Sequence, residues 1–241
     1  MELVDANIQN LTSLWKLGGK RAGNLQEYDK YTVSRVLDSE WPNRLWFKEK
    51  PDEESFKKAI KSHDLNEITI PVWPDTPALE ALLIENGFQL KNELTGMSVV
   101  LQNFNEESDH LEVLEVRDRK TAVKWSQLFY DAFGYRVDSR TVELTMDSIN
   151  YFIASYKGEP VGTAVLYRDS LHIMGIHSMG IIPDQRRKGY AAKLLHQVLC
   201  LAQKEGATYG VLQASEMGKG LYEKTGFKED FVLRNFVKQK K

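Results

Sequence analysis

The stretch Ile182-Pro183-Asp184-Gln185-Arg186-Arg187-Lys188-Gly189-Tyr190-Ala191-Ala192-Lys193-Leu194-Leu195 has residue types and an order suited to holding an anion. An apolar β-type run, Leu171 to Ile182, stops at a proline. A short basic turn follows, and a glycine opens an amphipathic helix. The first amides of a helix lack a carbonyl partner within it, and the helix dipole places partial positive charge there. Phosphate oxygens suit such a position. Gly189 lets the backbone approach an anion closely, Ala191 keeps the entry narrow, and Arg186, Arg187 and Lys188 add mobile positive charge. The segment reads as a pyrophosphate cradle; the bland alternative is a solvated helix start. The spacing is neither G-x-x-x-x-G-K-[ST] nor G-x-G-x-x-G, which disfavours a nucleotide P-loop and a dinucleotide fingerprint.

Arg186-Arg187-Lys188-Gly189-Tyr190-Ala191 resembles the R/Q-x-x-G-x-G/A signature of the GNAT superfamily, the acyl-CoA-dependent N-acyltransferases. Downstream, Val211-Leu212-Gln213-Ala214-Ser215 reads as a strand. Gly220-Leu221-Tyr222-Glu223-Lys224-Thr225-Gly226-Phe227 resembles the family's last helix and its L-Y-x-x-x-G-F ending. The two motifs agree in order, spacing and context over roughly residues 111 to 238.

The resemblance implies acetyl-CoA as cosubstrate, no metal, and direct attack by a primary amine in a ternary complex. It places the acyl-CoA in a V-shaped opening between the fourth and fifth strands of the unit. The backbone of Met179, Gly180 and Ile181 would pair with the pantetheine arm, and the amides from Arg187 to Ala192 would hold the pyrophosphate. Ser215, closing the fifth strand, is counted with these cofactor contacts. Tyr222 matches the tyrosine that protonates the departing thiolate, or it packs the last helix. His177 falls where many members carry a glutamate. A neutral imidazole there could take the ammonium proton, or it could be a satisfied or substrate-contacting histidine. Glu216 is a weaker alternative base. A free alkylamine has a pKa of about 10.4, so a base or a desolvating pocket is needed at neutral pH. His172, five positions from His177 on a strand, would face the other side, so a zinc pair is not expected. The rival to an enzyme is a non-catalytic acyl-CoA-binding or substrate-sensing module of the same fold.

The elements that would position these residues read as an alternating α/β (α+β) domain, residues 111–241. Leu111 to Val116 alternate as a strand, and Asp118 caps a helix ending near Gly134. A shorter helix is expected from Ser139 to Met146. Tyr151–Tyr156 and Val161–Tyr167 are strands joined by Lys157-Gly158-Glu159-Pro160, and Leu171–Ile182 follows. The helix after Gly189 buries Leu194, Leu195, Val198, Leu199 and Ala202 and stops at Gly206. The order β-α-α-β-β-β-α-β-α-β is that of the GNAT fold, a mixed central sheet flanked by helices.

Residues 1–105 form the other domain, separated by a polar linker, Asn103 to His110. Strands are expected at Asn43–Phe47, Ile68–Trp73 and Gly96–Leu101, with a helix over Asp52–Lys61 and another that starts at Asp75-Thr76-Pro77 and stops at Gly87. Leu82-Leu83-Ile84-Glu85-Asn86-Gly87-Phe88 parallels the Gly-Phe ending at residue 227, which points to a tandem repeat whose first copy is a degenerate GNAT-like unit. That copy lacks R-x-x-G-x-G/A and has Leu83 where the second has Tyr222, so one acyl-CoA per chain is expected. Trp41, Trp46 and Trp73 could contact the acceptor or fill the core. Leu17-Gly18-Gly19-Lys20-Arg21-Ala22-Gly23 reads as a surface loop.

The 241 residues are 42% hydrophobic, with 32 Lys plus Arg against 34 Asp plus Glu. That balance gives no basic field for nucleic acid or an anionic membrane. Cys200 is a lone cysteine, which fits a reducing compartment, and is expected on the polar side of its helix. The N-terminus lacks a signal-peptide pattern and no run approaches a membrane span, so a cytoplasmic protein is expected. Its partner would be a small-molecule or peptide amine, bound by a monomer or homodimer.

Overall fold

Twenty residues near the N-terminus, Leu3–Ala22, form helix α1. This overturns the loop expected around Leu17 to Gly23. Gly18 and Gly19 are packing residues: a Cβ on Gly18 would stand 2.7 Å from Pro42, and one on Gly19 would stand 2.3 Å from Ser34 Oγ. They let the helix approach the 31–43 region closely. Leu11, Leu14 and Trp15 are buried beneath it, each burial contributing about 1.5–3 kcal/mol.

The computed structural model describes residues 2–74, 76–105 and 111–239. After α1 come β1 (Asn24–Glu27), β2 (Tyr31–Arg35), β3 (Arg44–Phe47), α2 (Glu53–Lys61), β4 (Thr69–Val72), α3 (Pro77–Glu85) and β5 (Phe88–Val100). The second half holds β6 (Glu112–Glu115), α4 (Arg119–Phe133), α5 (Ser139–Thr145), β7 (Asn150–Tyr156), β8 (Glu159–Arg168), β9 (Ile173–Ile181), α6 (Tyr190–Lys204), β10 (Tyr209–Ala214), α7 (Glu216–Lys224) and β11 (Lys228–Lys238). Asp118 caps α4 through Thr121, and Gly134 ends it in the left-handed region, φ 74°. Residues 106–110 of the expected linker, and Asp75 of the expected α3 cap, lie outside the described residues. Thr76 turns its hydroxyl to Trp73. Cys200 is buried rather than on a polar face.

The eleven strands of the described residues form one mixed sheet, in the order β1-β2-β3-β4-β11-β5-β10-β9-β8-β7-β6. The two units β4–α3–β5 and β10–α7–β11 are reciprocal. Each final strand crosses over, so that β5 pairs with β10 and β11 pairs with β4, while β5 and β11 pair antiparallel with each other. The Gly-Phe endings of both helices feed this exchange. Met97 and Val99 of β5 are buried in the core that α6 and α7 cover, with Leu194, Leu199 and Tyr222. Phe236 of β11 is buried in the core of the first half. Gly96 and Phe231 face each other at the crossing, where a Cβ on Gly96 would stand 2.2 Å from the Phe231 ring. The mixed sheet flanked by helices is the fold class expected.

Two asparagines of α1 are completely buried. Asn7 Nδ2 donates to the carbonyls of Met97 on β5 (3.1 Å) and Leu212 on β10 (3.2 Å). Asn10 Nδ2 donates to Tyr167 O, Ile173 O and Asp169 Oδ2 at 3.1–3.2 Å. Losing such a buried partner costs about 1–3 kcal/mol, so these bonds fix where α1 crosses the sheet.

Candidate functional site

Strands β9 and β10 run parallel and pair at Ile173–Tyr209, Met174–Gly210 and Gly175–Val211. The pairing stops there, although β9 continues to Ile181 and β10 to Ala214. The strands therefore splay into a V whose walls carry Met179, Gly180 and Ile181 on one side and the end of β10, before Ser215, on the other. A bulge lies on the β9 wall. Thr163 pairs with Gly180 but Val165 pairs with His177, so one residue is extra. Ser178 takes it up at φ 48°, and its carbonyl accepts from Thr163 Oγ1 at 3.0 Å. Gly180 sits against Phe133, where a Cβ would be 2.6 Å from the ring. Met179 is half-buried and Ile181 is buried.

Beyond Ile182 the chain makes a short 3-10 turn, Pro183–Gln185, and then α6 begins. Arg187 and Gly189 both lie in the left-handed region, at φ 61° and 81°. Alternation of this kind turns successive amides to one side, as an anion-binding concavity does. Among the described residues no backbone carbonyl accepts from the amides of Arg187 to Ala192; the first such bond is Lys193 N to Gly189 O at 3.3 Å. No atom lies within 4 Å of a Cβ built on Gly189, so the space in front of the helix is open. Tyr190 is held by Tyr156, their ring centroids 5.1 Å apart. Ala191 is half-buried and Ala192 exposed.

The three basic residues differ. Arg187 is exposed. Arg186 Nε donates to Ile181 O (2.9 Å) and its Nη2 to Ala132 O (2.8 Å). It straps the turn to β9 and to the end of α4, and so is not mobile charge. Lys188 Nζ donates to Gln185 Oε1 at 2.8 Å.

Tyr222 lies in α7, buried at 9% exposure, with Phe227 edge-on at 5.6 Å. Burial pushes its phenol up to about 12, so the hydroxyl is protonated at neutral pH and able to donate. A Cβ on Gly218 would stand 3.2 Å from its ring. Ser215 is exposed and caps α7 through its backbone, its carbonyl accepting from Gly218 and Lys219. Glu216 is exposed in the first turn of α7.

His177 is half-buried on β9, and its Nε2 is 3.2 Å from Asn10 Oδ1. Asn10 uses its amide nitrogen as a donor to three oxygens, so its oxygen accepts and His177 Nε2 carries the proton. Gln213 Nε2 donates to Asn7 Oδ1 at 2.5 Å, and its side chain favours the charged form of His177. The lone pair of the neutral ring is then on Nδ1. Burial pulls the imidazole down to about 4, outweighing the opposite influence of Gln213. Gly175 makes this possible, since a Cβ there would stand 2.0 Å from Asn10 Oδ1 and 2.2 Å from His177 Nε2. A narrow cavity beside His177 and Ser178 is lined by Leu14, Trp41, Trp125 and Tyr151. Trp46 and Trp73 are instead core residues packed around Trp15, Trp73 stacked on it and Trp46 edge-on. His172 lies in the turn before β9, bonded through Nδ1 to Arg168, rather than on the strand. Among the described residues no group of three or more His, Cys, Asp or Glu could hold a metal ion, and no helix is long and apolar enough to cross a membrane.

Sequence reading missed α1, and with it Asn7, Asn10 and the fixing of His177. Asn10 lies 167 positions from its histidine, so no local pattern could link them.

Residues 110–227 match the model of the acetyltransferase (GNAT) family. No relative among the curated proteins matches the chain. Among solved structures, a GCN5-related N-acetyltransferase from Kribbella flavida is similar over 99% of this chain and 95% of its own, at 14% identity and a TM-score of 0.72. A GCN5-related N-acetyltransferase-like protein from Streptococcus suis aligns over 97% of this chain and 100% of its own, at 17% identity and a TM-score of 0.60. At these identities the likeness concerns the fold, and it extends over both halves. The splayed strands, the bulge and the open helix start therefore lie within residues 110–227, the part of the chain that matches the acetyltransferase (GNAT) family model.

Proposed function

We propose that the protein transfers an acetyl group from acetyl-CoA to a primary amine by direct attack in a ternary complex. The observation that carries this reading is the parting of β9 from β10 after Gly175 and Val211 beside the unpaired amides that open α6. A thioester arm can lie in the first while a pyrophosphate meets the second. The residues present fit acetyl-CoA, because the amides of Arg187 to Ala192 lack carbonyl partners and the space at Gly189 is open. When bound, the cosubstrate supplies an activated acetyl group as a thioester. Met179, Gly180 and Ile181 then offer backbone groups to its arm, although the Ile181 carbonyl is already engaged by Arg186. Tyr222 holds a proton for the leaving thiolate.

His177 suits a different task from that of a strong base. An alkylammonium near 10.4 and an imidazole near 4 differ by about six pKa units, roughly 8 kcal/mol uphill for direct proton transfer. The amine therefore enters neutral and donates a hydrogen bond to His177 Nδ1. The ring receives the amine's proton as the C–S bond breaks, when the nitrogen becomes that of an N-protonated amide, a strong acid, and the thiolate takes its proton from Tyr222. The second reading, a non-catalytic acyl-CoA-binding module, is favoured by the histidine that stands where the family glutamate is expected. We assign residues 111–241 as the acetyltransferase domain and 1–105 as a degenerate GNAT-like domain that shapes the acceptor side. A thiol-release assay with acetyl-CoA against a panel of amines separates the two functional readings: release that depends on an amine supports the enzyme, and binding of acetyl-CoA without release for any amine supports the module.

A further inference from the structure

An arginine without an acid lies next to the aromatic cluster under α1. Arg44 opens β3, and its guanidinium carbon stands 5.4 Å from the centre of the Trp15 ring. Its Nη1 donates to Asn43 O at 2.9 Å. Its Nε is buried and has no partner, and among the described residues Nη2 makes no hydrogen bond. These two nitrogens share one edge of the planar group, the edge whose two parallel N–H bonds match the oxygens of a carboxylate.

The charges around this edge are unbalanced. Lys91 of β5 lies within electrostatic reach of Arg44, and so does Tyr135, between α4 and α5. Glu40 is the one acid that acts on Lys91 and Tyr135, and its Oε2 already accepts from Arg136 N at 2.7 Å. Neither Arg44 nor Lys91 forms an ion pair among the described residues. Two cations against one acid leave a net positive charge around the buried Nε of Arg44, where an unpaired charge is costly. Burial pulls both cations towards the neutral form, and for Lys91 the nearby Arg44 charge adds to the effect.

The aromatic cluster beside Arg44 also adjoins the cavity at His177. Trp41 packs against the Trp15 cluster and against the cluster of Trp125 and Tyr151, and it lines the cavity beside His177. The backbone of Glu40 pairs with that of Arg136, which ties this wall to the end of α4.

We propose that Arg44 binds a carboxylate carried by the acceptor, so that the substrate class is an amine bearing an acid group. This rests on the acetyl-transfer reading. The amine meets His177, and its carboxylate completes the Nε–Nη2 edge of Arg44.

The test uses ω-amino acids of increasing length, from glycine to 5-aminovalerate, each beside its carboxamide. Wild type is expected to favour at least one acid over its amide by about 10–100-fold in kcat/KM, the size of a charge-assisted bidentate contact. Arg44→Gln should bring that ratio close to one. Calorimetric titration of the same amino acids in the absence of acetyl-CoA should show the same loss of affinity in Arg44→Gln. Equal rates for acid and amide throughout the series in wild type would overturn the proposal, as would an acid preference that survives Arg44→Gln. If Arg44→Gln does not fold, Arg44→Lys keeps the charge but loses the paired edge, and the ratio must still fall. If no amine is acetylated, the transfer reading fails, and the titrations alone decide whether the carboxylate site exists.

Discussion

Asn10 on α1 and His177 on β9 meet at 3.2 Å, oxygen to Nε2. An amide from the first half of the chain thus fixes the tautomer of a ring in the second. With the ring near 4 rather than 6.5, the unfolded chain binds a proton that the folded chain refuses. His177 is therefore neutral in the folded state at pH 7, and stability falls as pH drops from about 6.5 towards 4. His177→Gln should flatten the loss of melting temperature in that window. For catalysis, log kcat/KM with a simple alkylamine should rise past pH 7 towards the amine's own pKa, with no break near 6.5. A break there would mean that His177 titrates normally and acts as the base.

Tyr222 is protonated at working pH and buried against Phe227. Tyr222→Phe keeps the ring and removes the proton. A fall in kcat of about 10²–10⁴-fold is expected, the range for a general acid, with acetyl-CoA affinity and melting temperature nearly unchanged. If kcat stays within about twofold, the proton comes from elsewhere.

At Gly189 the backbone is left-handed and the space in front is open. Gly189→Asp places a carboxylate where phosphate oxygens would lie, and aspartate tolerates this φ better than most residues. Calorimetry should show no CoA binding by a protein whose circular dichroism is native. Full CoA affinity in the folded variant would remove the cradle.

The exchange of β5 and β11 predicts the fate of a fragment. Residues 111–241 alone would lack β5, the strand between β10 and β11. They would lose Met97 and Val99 from the core and gain an unpaired strand edge. The fragment is expected to be insoluble or oligomeric, and adding a peptide spanning 88–100 should restore a monomeric complex. A fragment that is monomeric and melts cooperatively by itself would contradict the importance given to the exchange.

The parts of this molecule that were legible in its sequence are those whose meaning is local. The strand, basic turn and helix around Gly189 fall within about fifteen residues, and so does the helix ending at Gly226-Phe227. The parallel Gly-Phe ending at residue 88 pointed to the repeat, but not to the crossing of its last strands, because strand exchange leaves the local pattern of each strand unchanged. Helix α1 was hidden by its own function. Asn7, Asn10, Gly18 and Gly19 weaken the apolar helical pattern, and each is explained only by a partner far along the chain. Arg186 looked like phosphate-binding charge because sequence cannot show that Ile181 and Ala132 carbonyls lie within its reach. Arg44 gave no signal, since a lone arginine at a strand start is ordinary until its surroundings prove to lack an acid.

Acetyl transfer is tested by incubating the pure protein with acetyl-CoA and the amine panel while following free thiol and the mass of the amine. Thiol is expected in equal amount to an amine that gains one acetyl group, with both lost in Gly189→Asp. Tight binding of acetyl-CoA with no acetylated amine from any class, amino acids included, would contradict it.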